Sequence, residues 1–281
     1  MTLRAASLRN NLETLRMRYD KRFLHTDPLI FPRSFKRKDD REVVGLIASS
    51  LAYGNVKTIS ANVRRLMDWM GPRPADFARN LNPKLGLYSL GEFQHRWTRA
   101  RDVVCLVHFA GRMLDNSGSI GKFFEKGYKP GNISSSINQF SIRALNLDHG
   151  GLYSSCKLPS KAGVRFFFTN TMTGACKRLN MYLRWMVRSD DGLDLGLWQF
   201  IPTNELIIPL DTHIFRIGHH LGWTHRKTLG FRTAIDITEN LAFYDPLDPV
   251  KYDFALSRIG MLKNCPRHDN PQECELCQLQ E

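Results

Sequence analysis

The chain is short of several things, and each shortage closes off a class of protein. No run of eighteen or more apolar residues occurs in its 281 positions, so no segment reads as a transmembrane helix. The N-terminus MTLRAASLRNNLETLRMRYDKRF lacks the uninterrupted apolar stretch of a secretory signal, and the expected compartment is the cytoplasm. Repeats and low-complexity tracts are missing. Strand-like alternation is scarce, with VRFFFTN (Val164 to Asn170) alone showing β propensity, so the expected fold is all-α. Acid is the most telling shortage. From His149 to Ser189 there is no Asp or Glu, while Lys157, Lys161, Arg165, Lys177, Arg178, Arg184 and Arg188 place seven of the thirteen excess positive charges in one segment. A basic surface of that kind favours a polyanion, with nucleic acid the leading candidate, a membrane surface left open at this point, and RNA not separated from DNA by phosphate contacts.

What is present reads as helices. Val43, Val44, Ile47 and Leu51 form one apolar stripe, and Ile59, Val63, Leu66, Met67 and Met70 form a second, closed by Gly71-Pro72. Longer helical patterns run from Phe93 to Leu114 and from Ile137 to Leu147, and Asp248-Pro249 opens a C-terminal helix carrying Val250, Phe254 and Ile259. In TGACKRLNMYLRWMVR (Thr173 to Arg188), Leu179, Tyr182, Leu183 and Met186 share one face. Lys177, Arg184 and Arg188 line the other, so this helix is expected to present a cationic stripe. A lysine among cationic neighbours is a candidate nucleophile, because that setting favours the neutral amine. In LIIPLDTHIFRIGHHLG (Leu206 to Gly222), Asp211 precedes an apolar-periodic run and reads first as a helix N-cap, with Gly222 as the stop.

TGACKRLN followed by LDTHIFR resembles the helix-hairpin-helix DNA glycosylases, the superfamily of endonuclease III, and CKRLNMYLRWMVR, DDGLDLGLW and DPVKYDFAL resemble still more closely an uncharacterised bacterial branch of it. The resemblance is specific from Gly174 to Cys277 and leaves residues 71 to 160 unplaced. It implies a two-lobed architecture with DNA crossing a cleft. Residues 1–40 and 178–281 would form an N/C-terminal lobe with a Cys-rich tail, and residues 41–177 a central lobe ending in the hairpin. It further implies base excision, with or without strand opening at the abasic site, with Lys177 as nucleophile and Asp211 as the carboxylate that stabilises the oxocarbenium-like sugar. Gly174, Arg178, Arg184, Arg188, His213 and Arg216 are the candidate DNA contacts. Tyr53 and Trp185 are the aromatic candidates for stacking a displaced base, against a plainer reading as core or cleft wall. A binding protein without catalysis on the same scaffold is the competing expectation, and a monomer is the expected state.

Three features depart from the superfamily pattern. The hairpin has Gly174 without the usual G-x-G. Lys177 and Asp211 are 34 positions apart, nearly twice the usual spacing, with RSDDGLDLGLWQFIPTN between them. The tail Cys265, His268, Cys274, Cys277 reads C-x2-H-x5-C-x2-C where the superfamily's iron–sulfur cluster uses C-x6-C-x2-C-x5-C. Zinc on Cys3His, an iron–sulfur cluster with a non-cysteine ligand, and a metal-free tail are all compatible with that spacing.

Overall fold

A computed structural model describes residues 3–261, so the proposed metal ligands Cys265, His268, Cys274 and Cys277 lie outside the described residues. Helix dominates, in agreement with the all-α expectation. In chain order the helices are α1 (Leu3–Arg18), α2 (Ile30–Arg33), α3 (Lys38–Ser50), α4 (Val56–Met70), α5 (Pro74–Asn80) and α6 (Pro83–Leu90). A short hairpin, β1 (Gln94–His95) and β2 (Thr98–Arg99), follows. Then come α7 (Ala100–Ser117), α8 (Ile120–Glu125), α9 (Ile133–Leu145), α10 (Lys177–Val187), α11 (Thr212–His220), α12 (Phe231–Tyr244) and α13 (Asp253–Met261). Among the described residues none of these helices is long and apolar enough to cross a membrane.

Local chemistry sets the boundaries. Asn55 caps α4 by accepting from Lys57 N, and Gly71 ends it at φ 71°. The buried stripe is Ile59, Val63, Leu66 and Met70, as the spacing predicts. Helix α7 is buried along most of its length and packs against α3, α5, α6 and α8. Its contact with α5 needs Gly111, where a β-carbon would fall 2.1 Å from the Ala78 carbonyl oxygen. Helix α1 packs on α13 and on the 3-10 turn Pro249–Tyr252, so the N- and C-terminal segments of the described chain meet.

One expectation about an element is corrected. The helix read from Phe93 begins only at Ala100, because Arg96 and Trp97 make a two-residue turn joining β1 to β2 and the Asp102 carboxylate accepts from Arg99 N at the helix start. VRFFFTN forms no strand. Its first residues belong to the 3-10 turn Gly163–Phe166, and Val164, Phe167 and Phe168 are buried in the core.

The insert between Lys177 and Asp211 is tied down along its length. Leu195 N donates to Trp185 O and Trp198 N to Met186 O, each at 2.8 Å, which lays the insert against the end of α10. Arg33 donates to the carbonyls of Leu193 (3.0 Å) and Asp194 (2.9 Å). The Trp198 indole donates to Glu42 Oε1 at 2.7 Å, and the Glu42 carboxylate also accepts from the backbone N–H of Ile120 and Gly121 at the start of α8. Glu42 is fully buried, so these three donors replace its water shell.

Candidate active site

The 34-residue separation does not keep the two candidate catalytic groups apart. Lys177 opens α10 and Asp211 caps α11, and Lys177 Nζ lies 3.9 Å from Asp211 Oδ2. The carboxylate divides its duties. Oδ1 accepts from His213 N and Ile214 N, both at 2.9 Å, in the manner of an N-cap, which leaves Oδ2 turned to the lysine. The lysine also donates to the Ala52 carbonyl at 3.2 Å. Both side chains open onto a cleft of about 450 Å³ whose walls include Asp27, Tyr53, Arg96, Met181, His213 and Asp253. A volume of that size falls within the range of small-molecule sites.

Asp253, the first residue of α13, is a second carboxylate on the cleft wall. Burial pushes its pKa up to about 6; the charge on Asp211 adds to the rise, and Arg184 opposes it. On the same wall Asp27 is paired with Arg258, and its carboxyl is held below the ordinary range by the Arg258 and Arg184 guanidiniums against the effect of burial. His213 lines the cleft and accepts at Nδ1 from Arg216 at 3.0 Å, so these two candidate DNA contacts act as a pair at the head of α11. Arg216 is exposed.

The expected cationic stripe on α10 is corrected. Arg184 and Arg188 are 3% and 6% exposed, Arg184 at the floor of the cleft, so neither belongs to a solvent-facing stripe. Arg184 is paired with Asp253 and with Asp194 (3.2 Å). Arg188 is paired with Asp194, with Asp248 (2.9 Å) and with Asp191 (3.2 Å). The segment that lacks acid in sequence draws its counter-charges from the insert and from the start of α13. Arg178 is corrected as well. Its guanidinium lies 3.4 Å from the Phe166 ring centroid, donates to the Phe166 carbonyl and is enclosed enough that burial lowers its pKa to about 10. Both buried arginines are matched by carboxylates and are not unpaired cationic neighbours of Lys177. Trp185 is fully buried in the core and is not a stacking surface.

The turn before α10 departs from a glycine hairpin. Asn170 closes it, its Oδ1 accepting from Met172 N and Thr173 N at 3.0 Å each. The left-handed residue ahead of Lys177 is Cys176, at φ 50°, while Gly174 sits in open space.

Tyr53 does line the cleft, and it belongs to a structure that periodicity did not reveal. Its hydroxyl donates to His95 O at 2.9 Å and lies 2.6 Å from Thr98 Oγ1, which locks the AYGN turn to the β1–β2 hairpin. His95 returns the contact through Nε2 to Tyr53 O (3.0 Å), while Nδ1 accepts from the Asn62 amide (2.9 Å). That pattern requires a neutral ring protonated at Nε2, and burial holds the His95 pKa below its ordinary 6.5. The unfolded chain binds this proton at about 6.5 and the folded chain only at lower pH. His95 therefore contributes stability that is present above pH 6.5 and is lost as pH falls through the folded value. His95→Gln is expected to flatten the fall in stability below pH 6.5, measured by urea unfolding at a series of pH values. An unchanged slope would show that His95 titrates alike in both states.

The residues just described fall almost entirely within a single family match. The model of a protein family described as "Protein of unknown function (DUF2400)" covers residues 27–262, from Asp27 on the cleft wall to just past α13. No curated protein matches the chain. With well over half of its length matched, the chain belongs to the DUF2400 family.

Proposed function

We propose that the protein is a DNA base-excision glycosylase acting through Lys177 and Asp211, with strand opening at the abasic site as its second step. The observation that carries this reading is the meeting of an amine and a carboxylate at 3.9 Å on one cleft, from helix starts 34 residues apart in the chain. Lys177, as the neutral amine, attacks C1′ of the target nucleotide. The C1′–N bond breaks, and the base departs with the bonding electron pair and takes up a proton. Asp211 Oδ2 lies against the positive charge that develops on the sugar, and it is the paired carboxylate oxygen to which the ammonium can pass a proton. The lysine adduct opens the sugar ring to an imine. Loss of a C2′ proton then expels the 3′ phosphate and opens the strand.

In this reading the cleft separates two lobes, residues 41–177 on one side and residues 1–40 with 178–281 on the other. DNA approaches over Arg216, His213 and the arginines near the cleft mouth, and the target base leaves the stack to reach Lys177. Cys265, His268, Cys274 and Cys277 are kept as a proposed structural site for zinc or an iron–sulfur cluster, read by zinc analysis and visible absorbance of the purified protein.

The test is covalent trapping. With borohydride and a duplex carrying one abasic site, the wild type is expected to give a stable protein–DNA adduct and Lys177→Ala none. Equal trapping of both proteins overturns the role of Lys177. Tight DNA binding with no adduct from either leaves a glycosylase without lyase activity or the second reading, a binding module without catalysis, and an excision assay on a damaged-base duplex separates the two. Cys176 in place of a glycine ahead of the lysine is the observation on the side of the binding module.

A further inference from the structure

We propose that the hairpin tip, Arg96 and Trp97, is a stacking platform that receives an unpaired DNA base at the mouth of the cleft. Trp97 is 54% exposed, whereas Trp185, Trp198 and Trp223 are buried and Trp69 is half-buried. A lone exposed aromatic is ordinary on a protein surface. Trp97 differs in how it is held. It stacks on Tyr53, with centroids 4.9 Å apart and planes 23° from parallel, and meets Phe166 edge-on at 5.3 Å. The Arg96 guanidinium lies 4.8 Å from its ring centroid. A two-stranded hairpin this short is marginal by itself. The Tyr53 hydroxyl and the His95 ring fasten it to the AYGN turn, so the indole is positioned before any ligand arrives.

Arg96 adds a second line of argument. Its φ of 54° lies in the left-handed region, at the first position of a two-residue hairpin loop, where glycine is the usual choice. The side chain kept there crosses Gly54, where a β-carbon would stand 3.1 Å from Arg96 Cδ, and it lines the same cleft as Lys177 and Asp211. The Arg96 guanidinium lies over the exposed ring, Arg99 of the same hairpin is also exposed, and the enclosed Arg178 lies against Tyr53. A flat π surface bordered by guanidiniums matches a nucleobase carried between phosphates. An apolar protein side chain would gain nothing from those charges.

The inference rests on the reading that the cleft faces DNA, and it needs no chemistry at Lys177. The probes are a lesion-free duplex with one bulged base and the same duplex fully paired, with binding followed by anisotropy and by tryptophan emission. The bulged duplex is expected to quench wild-type emission, and Trp97→Phe to lose that quenching while keeping affinity to within about threefold. Trp97→Ala is expected to bind the bulged duplex about tenfold more weakly and the paired duplex with little change. An unaltered preference for the bulged duplex in Trp97→Ala, or quenching that survives Trp97→Phe, overturns the platform. Because Trp97→Phe preserves an aromatic ring, the second outcome can be read even if the alanine variant folds poorly. The result is separable from that of the catalytic proposal. Loss of borohydride trapping with this discrimination intact removes the chemistry and leaves the platform, and the reverse pattern does the opposite.

Discussion

Asp211→Asn is expected to reduce base excision by about 10²- to 10³-fold while leaving the protein folded. The two oxygens of Asp211 make this separation possible. Oδ1 performs the structural task, accepting from His213 N and Ile214 N, and an asparagine carbonyl performs it equally well, since Asn and Asp are comparable N-caps. Oδ2 performs the proposed chemical task beside the Lys177 amine, and in asparagine that position becomes an uncharged NH₂ that can neither accept a proton nor offset a positive sugar. Melting temperature is expected to move by no more than a change of about 1 kcal/mol would produce. Asp211→Ala removes both tasks and should lose the cap's stabilisation of about 1 kcal/mol in addition to activity. Single-turnover excision assays beside thermal melts of the three proteins decide the matter. Near wild-type excision by Asp211→Asn would reduce Asp211 to a cap and leave Lys177 without its partner.

That division also explains which parts of the site could be read from the sequence. The cap was legible because it is local: the acceptor and both donors lie within three residues of one another. The same holds for the stripes of α3 and α4, whose burial follows directly from apolar spacing. The pairing of Lys177 with Asp211 was anticipated through the resemblance of two motifs, since no periodic signal reaches across 34 residues. Arg184 and Arg188 were misread because a helical wheel identifies a cationic face without showing what packs on it. Their partners Asp194, Asp248 and Asp253 come from the insert and from the chain just ahead of and at the start of α13. Trp97 was missed because strands of two residues carry no measurable alternation inside a stretch that otherwise reads as helix. A local signal was available in Asp102, whose carboxylate three residues after Arg99 marks where α7 starts and leaves Gln94 to Arg99 outside it.

The largest stability effect is expected at Asp194→Ala, a loss of about 3 to 5 kcal/mol. Asp194 is fully buried, and its two oxygens serve different guanidiniums, Oδ1 that of Arg184 and Oδ2 that of Arg188. Removing the carboxylate leaves two buried cations with one fewer counter-charge and no water to replace it. Asp253 and Asp248 remain in contact with them, which places the expected loss within that range and not above it. Replacing the partners together with apolar residues of similar volume would cost much less, because the penalty comes from the unmatched charge and not from the absence of a bridge. The surface gives the contrast. Arg37 and Asp76 lie 2.8 Å apart with side chains 43% and 35% exposed, and Asp76→Ala should change stability by less than about 1 kcal/mol. Urea unfolding of the two variants against wild type reads the difference directly. The buried variant also bears on the site, since Arg184 reaches from Asp194 to Asp253 on the cleft wall, so any Asp194→Ala protein that remains folded should show altered excision even though Asp194 touches no ligand. Comparable, small losses for Asp194→Ala and Asp76→Ala would mean that water reaches the Arg184 and Arg188 guanidiniums and that they are not the closed network described above.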